Sequence, residues 1–324
     1  MSAIESGVAD RGQVMKTLLR SGLTIAALAA APAMAADLTP AYKAPPPGCV
    51  QAVDGLNGKA DGSGGTFADR SVFMFRGSFS MPIQCQFGLQ IDGGLGSLEN
   101  RFFGYVGGHG FWRDPSRGLV GLYGAFQGWN QVGGVRVAHV GPEAEYYFGR
   151  WTFQGVVGVE FGNTATGLIG NVIQTFDYRT RFFDQFNVAY YPIDNWKVFA
   201  GHRYLGGKNA FALGTEWGMP LGRGMMGALY AEGRIGEGDY HGIWGGFRVY
   251  FGQKDKTLIR RHREDDPVDW VPHSITNPGT KTPTGGSCCP SGPTTQIKLE
   301  AGTQLAENID DKLMMLAQSC SPCA

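Results

Sequence analysis

Apolar and polar residues alternate with period two through the middle of the chain. Cys85, Phe87, Leu89, Ile91 and Leu95 alternate with Gln86, Gly88, Gln90, Asp92 and Gly94, and Ala138, Val140, Ala144, Tyr146 and Phe148 alternate with His139, Gly141, Glu143, Glu145 and Tyr147. The same pattern sets Trp151, Phe153, Val157, Val159 and Phe161 against Thr152, Gln154, Gly158 and Glu160, and Phe211, Leu213 and Trp217 against Gly214 and Glu216. It returns with Leu229, Ala231 and Ile235 against Tyr230, Glu232 and Arg234, and with Ile243, Phe247, Val249 and Phe251 against Gly246 and Arg248. A helix cannot present such a face, whereas a strand does so at every second residue. Ten strands are expected, near 84–95, 101–112, 117–128, 134–148, 150–161, 181–191, 195–205, 210–219, 224–235 and 242–252. A count of twelve adds Val72–Ser80, where Phe73, Phe75 and Phe79 alternate, and a strand cut from Gly167–Phe176. Ten is preferred because it leaves Gly162–Thr180 as one long outward loop. The short turns at Arg113–Ser116, Gly149, Pro192–Asp194 and Pro220–Arg223 then share the opposite end.

Alternation also fits a soluble antiparallel sandwich. Three details favour an all-β, antiparallel transmembrane β-barrel instead. Aromatic residues gather at strand ends, in Tyr146-Tyr147-Phe148-Gly149-Arg150-Trp151, in Tyr190-Tyr191-Pro192 with Trp196, and at Trp217 before Pro220, as in the interfacial girdles of a membrane barrel. The inward set is ionic: Asp92, Glu143, Glu145, Glu160, Lys197, Arg203, Glu216, Glu232, Arg234 and Arg248. A soluble core cannot bury that many charges, whereas a barrel lumen can pair or hydrate them. The last strand ends Arg248-Val249-Tyr250-Phe251, on an aromatic.

The flanks differ from the middle. From Met15 the chain reads Met-Lys-Thr-Leu-Leu-Arg, then an apolar run Leu23–Ala31, then Ala33-Met34-Ala35. This is the order of a secretory signal peptide, so residues 1–35 are expected to be removed, with translation starting at Met15. The alternative is an N-terminal anchor, since Leu18–Ala36 could barely reach across ~30 Å of hydrocarbon. Residues 36–70, with Pro45-Pro46-Pro47 and many glycines, read as a periplasmic linker. Residues 71–252 form the barrel, and residues 253–324 read as a periplasmic tail, flexible as far as Ile297. The tail ends in a short helix on the stripe Leu305, Ile309, Leu313 and Leu316.

Composition narrows the class. Glycine numbers 51 of 324 residues and charged residues make up 17%, both unlike an ordinary soluble enzyme. Lysine plus arginine equals aspartate plus glutamate at 28 each, so no global field draws in nucleic acid. Six cysteines, Cys49, Cys85, Cys288, Cys289, Cys320 and Cys323, suit disulfides in an oxidising compartment. A Cys49–Cys85 bond would tie the linker to the rim, and the other four could bridge within the tail or between tails. With no histidine among the tail cysteines, a zinc site is not expected.

The mature start Ala36-Asp37-Leu38 with Tyr42-Lys43-Ala44-Pro45-Pro46-Pro47, and the ending Phe247-Arg248-Val249-Tyr250-Phe251-Gly252, resemble the small outer-membrane β-barrel proteins of rhizobia and related alphaproteobacteria. The resemblance implies an abundant envelope protein, structural or pore-forming, without a cofactor. The tail after Gln253 departs from that pattern, in which the final strand ends the chain.

Two functions follow from these readings. One is a narrow passive pore for small solutes, with lumen charges setting selectivity. The other is a structural barrel closed by salt bridges, in contact with outer-membrane lipid, whose tail binds an envelope component or another copy. Six inward acids against four inward bases favour mutual neutralisation and a closed lumen, with Glu143 and Glu145 neutralised by Arg203, Arg234 or Arg248. The enzymatic alternative is a lipid or peptide hydrolase with Asp239-Tyr240-His241 in an outer loop, joined by His202 or His109. No serine with an oxyanion hole accompanies these residues, so no catalytic residue is assigned.

Overall fold

The structure, a computed structural model, describes residues 49–130, 134–169, 172–252, 254–270 and 280–283. Twelve strands close an antiparallel barrel: β1 Asn57–Phe67, β2 Arg70–Gln84, β3 Phe87–Leu98, β4 Arg101–Asp114, β5 Gly118–Trp129, β6 Val135–Phe148, β7 Trp151–Gly162, β10 Arg181–Ile193, β11 Trp196–Leu205, β12 Lys208–Gly222, β13 Met225–Gly236 and β14 Gly242–Phe251. Each strand pairs with its neighbour in the chain, except that β7 pairs with β10, and β1 against β14 closes the ring. The intervening β8 Thr164–Ile169 and β9 Val172–Asp177 form a hairpin outside the ring, which β15 Thr280–Pro283 joins by pairing with β9. All ten expected strands are present.

The expected count of ten is corrected to twelve by β1 and β2. The strand expected from Gly167–Phe176 instead falls in the β8–β9 hairpin, outside the barrel. β1 lies in the stretch read as linker because its outward side carries Gly58, Ala60, Gly62 and Gly64, which give no apolar alternation. Large rings of the next strand cover that side: a Cβ on Gly62 would meet the Phe75 ring at 3.2 Å, and Gly58 and Gly64 lie beside Phe79 and Phe73. The apolar surface that β1 lacks is thus supplied by β2.

At one end, hereafter the near end, lie the start of β1, the finish of β14 and the turns after Gln84, Asp114, Phe148, Ile193 and Gly222. The far end carries the longer connections, including β8–β9 between β7 and β10. Two of its short turns, Ala68-Asp69 and Glu99-Asn100, have positive φ at both residues, the backbone that lets a two-residue hairpin follow the strand twist. At mid-height the outward residues are apolar and exposed, among them Phe75, Ile91, Val106, Leu122, Val140, Val157, Phe186, Leu213, Leu229 and Phe247. Phe87, Tyr146, Phe148, Trp151, Trp196 and Trp217 ring the near end.

Residues 254–270, beyond β14, are not a free tail. Helix α1, Leu258–Glu264, sits across the near mouth. Thr257 makes no side-chain cap, so the first free N–H groups find partners on the β10–β11 turn: Leu258 donates to Asn195 Oδ1 and Ile259 to the Asp194 carbonyl, both at 3.0 Å. At the other end of the helix the Asp54 N–H donates to the Glu264 carbonyl at 2.9 Å. Leu258 packs in the buried cluster with Met226, Ala228 and Tyr250. Residues 265–270 then run into the lumen. The reading of 253–324 as a tail flexible as far as Ile297 therefore fails for 258–270. Its physical reason is that Leu258, Val268 and Trp270 find partners inside the barrel that sequence spacing cannot reveal. Cys49 and Cys85 form a disulfide with Cα atoms 5.5 Å apart, Cys85 lying in the β2–β3 turn and not at a strand start. The expected signal peptide, the remaining four cysteines and the Leu305–Leu316 stripe lie outside the described residues.

Candidate functional site

The lumen is the site, because strand alternation concentrates the polar side chains there. Asp92, Glu143, Glu145, Glu160, Arg203, Glu216, Glu232 and Arg234 are buried on the inner wall, with Lys197 and Arg248 half-buried beside them. Neither Glu143 nor Glu145 is paired with Arg203, Arg234 or Arg248 among the described contacts, which corrects that expectation. β6 stands nearly opposite β13 and β14 in the ring, and residues 265–270 run between the walls.

Glu143 is instead held by His109, whose Nδ1 lies 2.9 Å from it and whose Nε2 lies 2.7 Å from Asp92. Gln90 donates to Asp92 at 2.8 Å, and Ser80 donates to Gln90 at 2.7 Å. Glu145 accepts from Tyr147 at 2.7 Å and from Gln154 at 3.3 Å.

A second group spans the barrel seam. Arg76 and Arg248 both meet Asp61, at 2.6 and 3.1 Å, and their guanidinium groups lie 5.3 and 4.7 Å from the Tyr230 ring centre. Arg248 and Lys197 also pair with Glu216, at 3.1 and 3.4 Å. Nearer the far end, Arg203 and Arg234 share Glu232, and His139 and Arg181 share Glu160. Sequence reasoning missed Asp61 because β1 was not recognised. Arg76 was legible, since placing Phe73, Phe75 and Phe79 outward forces it inward.

Residues 265–270 thread these groups from the near end upward. Asp265 accepts from Asn57 at the rim, and Asp266 lies 3.3 Å from Ser80 Oγ. The Pro267 carbonyl faces Lys59 and Gln90 at 3.4 Å, and Tyr105 donates to Asp269 at 3.1 Å. Trp270 donates to Glu143 at 3.2 Å, and its carbonyl accepts from Gln185 at 3.3 Å. Trp270 is 1% exposed, so its indole fills the space between the walls. One cavity beside the segment, bordered by Lys59, Arg76, Glu216, Arg248, His262 and Asp269, measures about 80 Å³. That is room for a few waters.

The near mouth has its own electrostatics. Burial opposes a charge on Asp54, but Lys254 and Lys256 outweigh it and hold that carboxyl below its ordinary range. Burial dominates at Asp265, and with the help of Asp266 it overrides Lys256 and pushes the carboxyl up to about 7. Burial and the nearby Lys197 push His262 well below its ordinary range, so its ring is neutral. The network then assigns its proton. Tyr250 donates to Glu216, so Nε2–H donates to the Tyr250 oxygen at 2.9 Å, and Nδ1 accepts from Tyr191 at 2.8 Å.

The hydrolase candidates are dispersed. His241 pairs with Asp69 at 3.1 Å on the exposed far rim, and its neighbour Asp239 is not the carboxylate it meets. His202 pairs with Asp184 at 2.8 Å on the outward side of the barrel, and His109 is in the lumen. The three do not come together.

No family model and no curated protein matches this sequence. Solved structures match at low identity. An outer membrane channel from Pseudomonas putida F1 is 10% identical over 64% of this chain and 98% of its own, with a TM-score of 0.43. The KdgM porin is 9% identical over 60% of this chain and 98% of its own, with a TM-score of 0.39. The translocator domain of autotransporter NalP from Neisseria meningitidis is 10% identical over 61% of this chain and 88% of its own, with a TM-score of 0.37.

Proposed function

We propose that the chain is an outer-membrane β-barrel closed at rest by its own C-terminal segment, with a structural or tightly gated narrow-pore role. The carrying observation is the passage of Asp265–Trp270 through the lumen. Barrels of about eight strands can fill their interiors with their own side chains, and those of sixteen or more leave an aqueous channel. Twelve strands fall between, and here a length of chain supplies the missing packing. The outward apolar belt and near-end aromatic ring fit a bilayer, in which only a barrel without free edges satisfies the backbone of strands. Short turns at the near end and longer connections at the far end support a periplasmic near end. The resemblance to rhizobial barrel proteins agrees with this reading.

Planar-bilayer recording tests it. The full chain is expected to be silent or to open rarely, and a form ending at Gly252 to conduct steadily. Steady conductance from the full chain would refute closure. Recovery of the protein as a soluble species, with no heat-dependent shift on gels, would refute the barrel in a membrane.

A further inference from the structure

The direction of the C-terminal segment leads beyond closure. Its contacts climb steadily, from Asn57 at the first residue of β1, through Ser80, Lys59 and Gln90, to Tyr105, Glu143 and Gln185 deeper in the barrel. The next described residues, Thr280–Pro283, pair antiparallel with β9, in the connection that joins β7 to β10 at the far end. Ten peptide steps separate Trp270 from Thr280, a length of chain that reaches up to ~33 to 36 Å. That covers the remaining height of a barrel sized to a ~30 Å hydrocarbon core.

We propose that the chain crosses the membrane inside its own barrel between Asp265 and Thr280, so that Thr280–Pro283 lie at the outer face while the last barrel strand ends in the periplasm. This rests on the membrane reading above and replaces the expected periplasmic tail. The pairing of β15 with β9 acts as a second clasp beyond the lumen, because it adds a strand to the edge of a hairpin that has no other third member among the described residues.

The test uses the full chain, expressed in a Gram-negative host, with a short epitope inserted directly after Pro283. A second version carries the same epitope in the Gly149–Arg150 turn. Antibody should label the epitope after Pro283 on intact cells as strongly as after permeabilisation, and the turn epitope only after permeabilisation. If both epitopes require permeabilisation while the protein stays in the outer membrane with a heat-dependent gel shift, the crossing is overturned and the barrel reading survives. Loss of membrane association overturns both. A Thr175→Cys, Thr280→Cys variant supplies an independent readout, because the two positions are register partners. Mass spectrometry should recover a peptide joining residues 175 and 280. Two free thiols there under oxidising conditions would overturn the pairing on which the crossing depends.

Discussion

Trp270 and Glu143 are 127 residues apart in sequence, yet the indole N–H donates to the carboxylate at 3.2 Å in the lumen. The same Glu143 oxygen meets His109 Nδ1 at 2.9 Å, and His109 in turn meets Asp92. The C-terminal segment is therefore seated on a charged relay that belongs to β3, β4 and β6. It does not merely lie in a channel.

Trp270→Ala removes both the filling ring and that hydrogen bond. Truncating a buried aromatic costs about 3 to 5 kcal/mol, and here the loss falls on docking of the segment, since the barrel strands keep their ladders. The variant should fold and shift on gels like the parent. Its C-terminal segment should be cleaved far sooner by added protease, and it should conduct in planar bilayers. Unchanged protease resistance would show that Trp270 does not hold the segment.

Arg248 bridges two acids from different strands, Asp61 on β1 and Glu216 on β12. Replacing it with Ala leaves a buried charge short of a partner, a loss of about 3 kcal/mol, the low end for a dry pair. The low end applies because Arg76 and Lys197 still attend Asp61 and Glu216. Urea unfolding of the refolded barrel should show the loss, and Arg248→Lys should recover part of it. A midpoint equal to the parent's would mean that water already solvates the seam.

Much of this arrangement was legible from period two alone. Once Val140, Ala144 and Tyr146 face outward, Glu143 and Glu145 must face the lumen, and the ten expected strands were found on that basis. What period two cannot supply is partner identity, because it fixes a side but not a position around the ring. Glu143 therefore meets His109 and Trp270 where an arginine was expected. β1 was illegible for a different reason: Phe75 and Phe79 do the covering that its own glycines cannot, so its pattern resembles a linker. The docking of 258–270 depends on complementarity between distant segments, and a charged stretch such as Leu258–Asp266 carries no local sign of it.

The Cys49–Cys85 bond closes a loop of sequence separation 36 that contains β1 and β2, and β1 is the strand whose pairing with β14 closes the ring. A cross-link of that span is worth roughly 3 to 4 kcal/mol through the unfolded chain. Cys85→Ser should therefore lower the urea midpoint of the barrel under non-reducing conditions. Reductant should lower the parent to the same midpoint and leave the variant unmoved. A parent insensitive to reductant would show that the bond constrains nothing.

Phe75 and Met74 are neighbours in β2 that point to opposite sides, Phe75 being 50% exposed on the outer wall and Met74 1% exposed within. Arginine on the lipid side near mid-height costs about 2 to 4 kcal/mol. Phe75→Arg should destabilise the barrel by that amount when it is refolded into bilayers. The penalty should shrink toward zero for Ile83→Arg, which lies at the near rim. An equal penalty at both positions would argue against a bilayer around this belt.

Asp265 gives the closing segment a dependence on pH, and its sign follows from the environment of the carboxyl. Burial, aided by Asp266, raises it from an ordinary 3.8 to about 7 when docked, despite Lys256. The docked form thus holds the proton more tightly than the released form. Its contribution to docking is full below about pH 4, declines as pH rises from about 4 to about 7, and stays lost above that, a change on the order of 4 kcal/mol at most. Lys256 does not reverse the sign, because Asp54 and Glu264 also attend it and keep it charged whether or not Asp265 ionises. Protease cleavage of the C-terminal segment should accordingly be slow at pH 5 and quicken toward pH 8, with the barrel itself unchanged. Asp265→Asn cannot ionise, so its segment should stay protected across the same range and lose the slope. A parent and variant with the same pH profile would show that another group controls release.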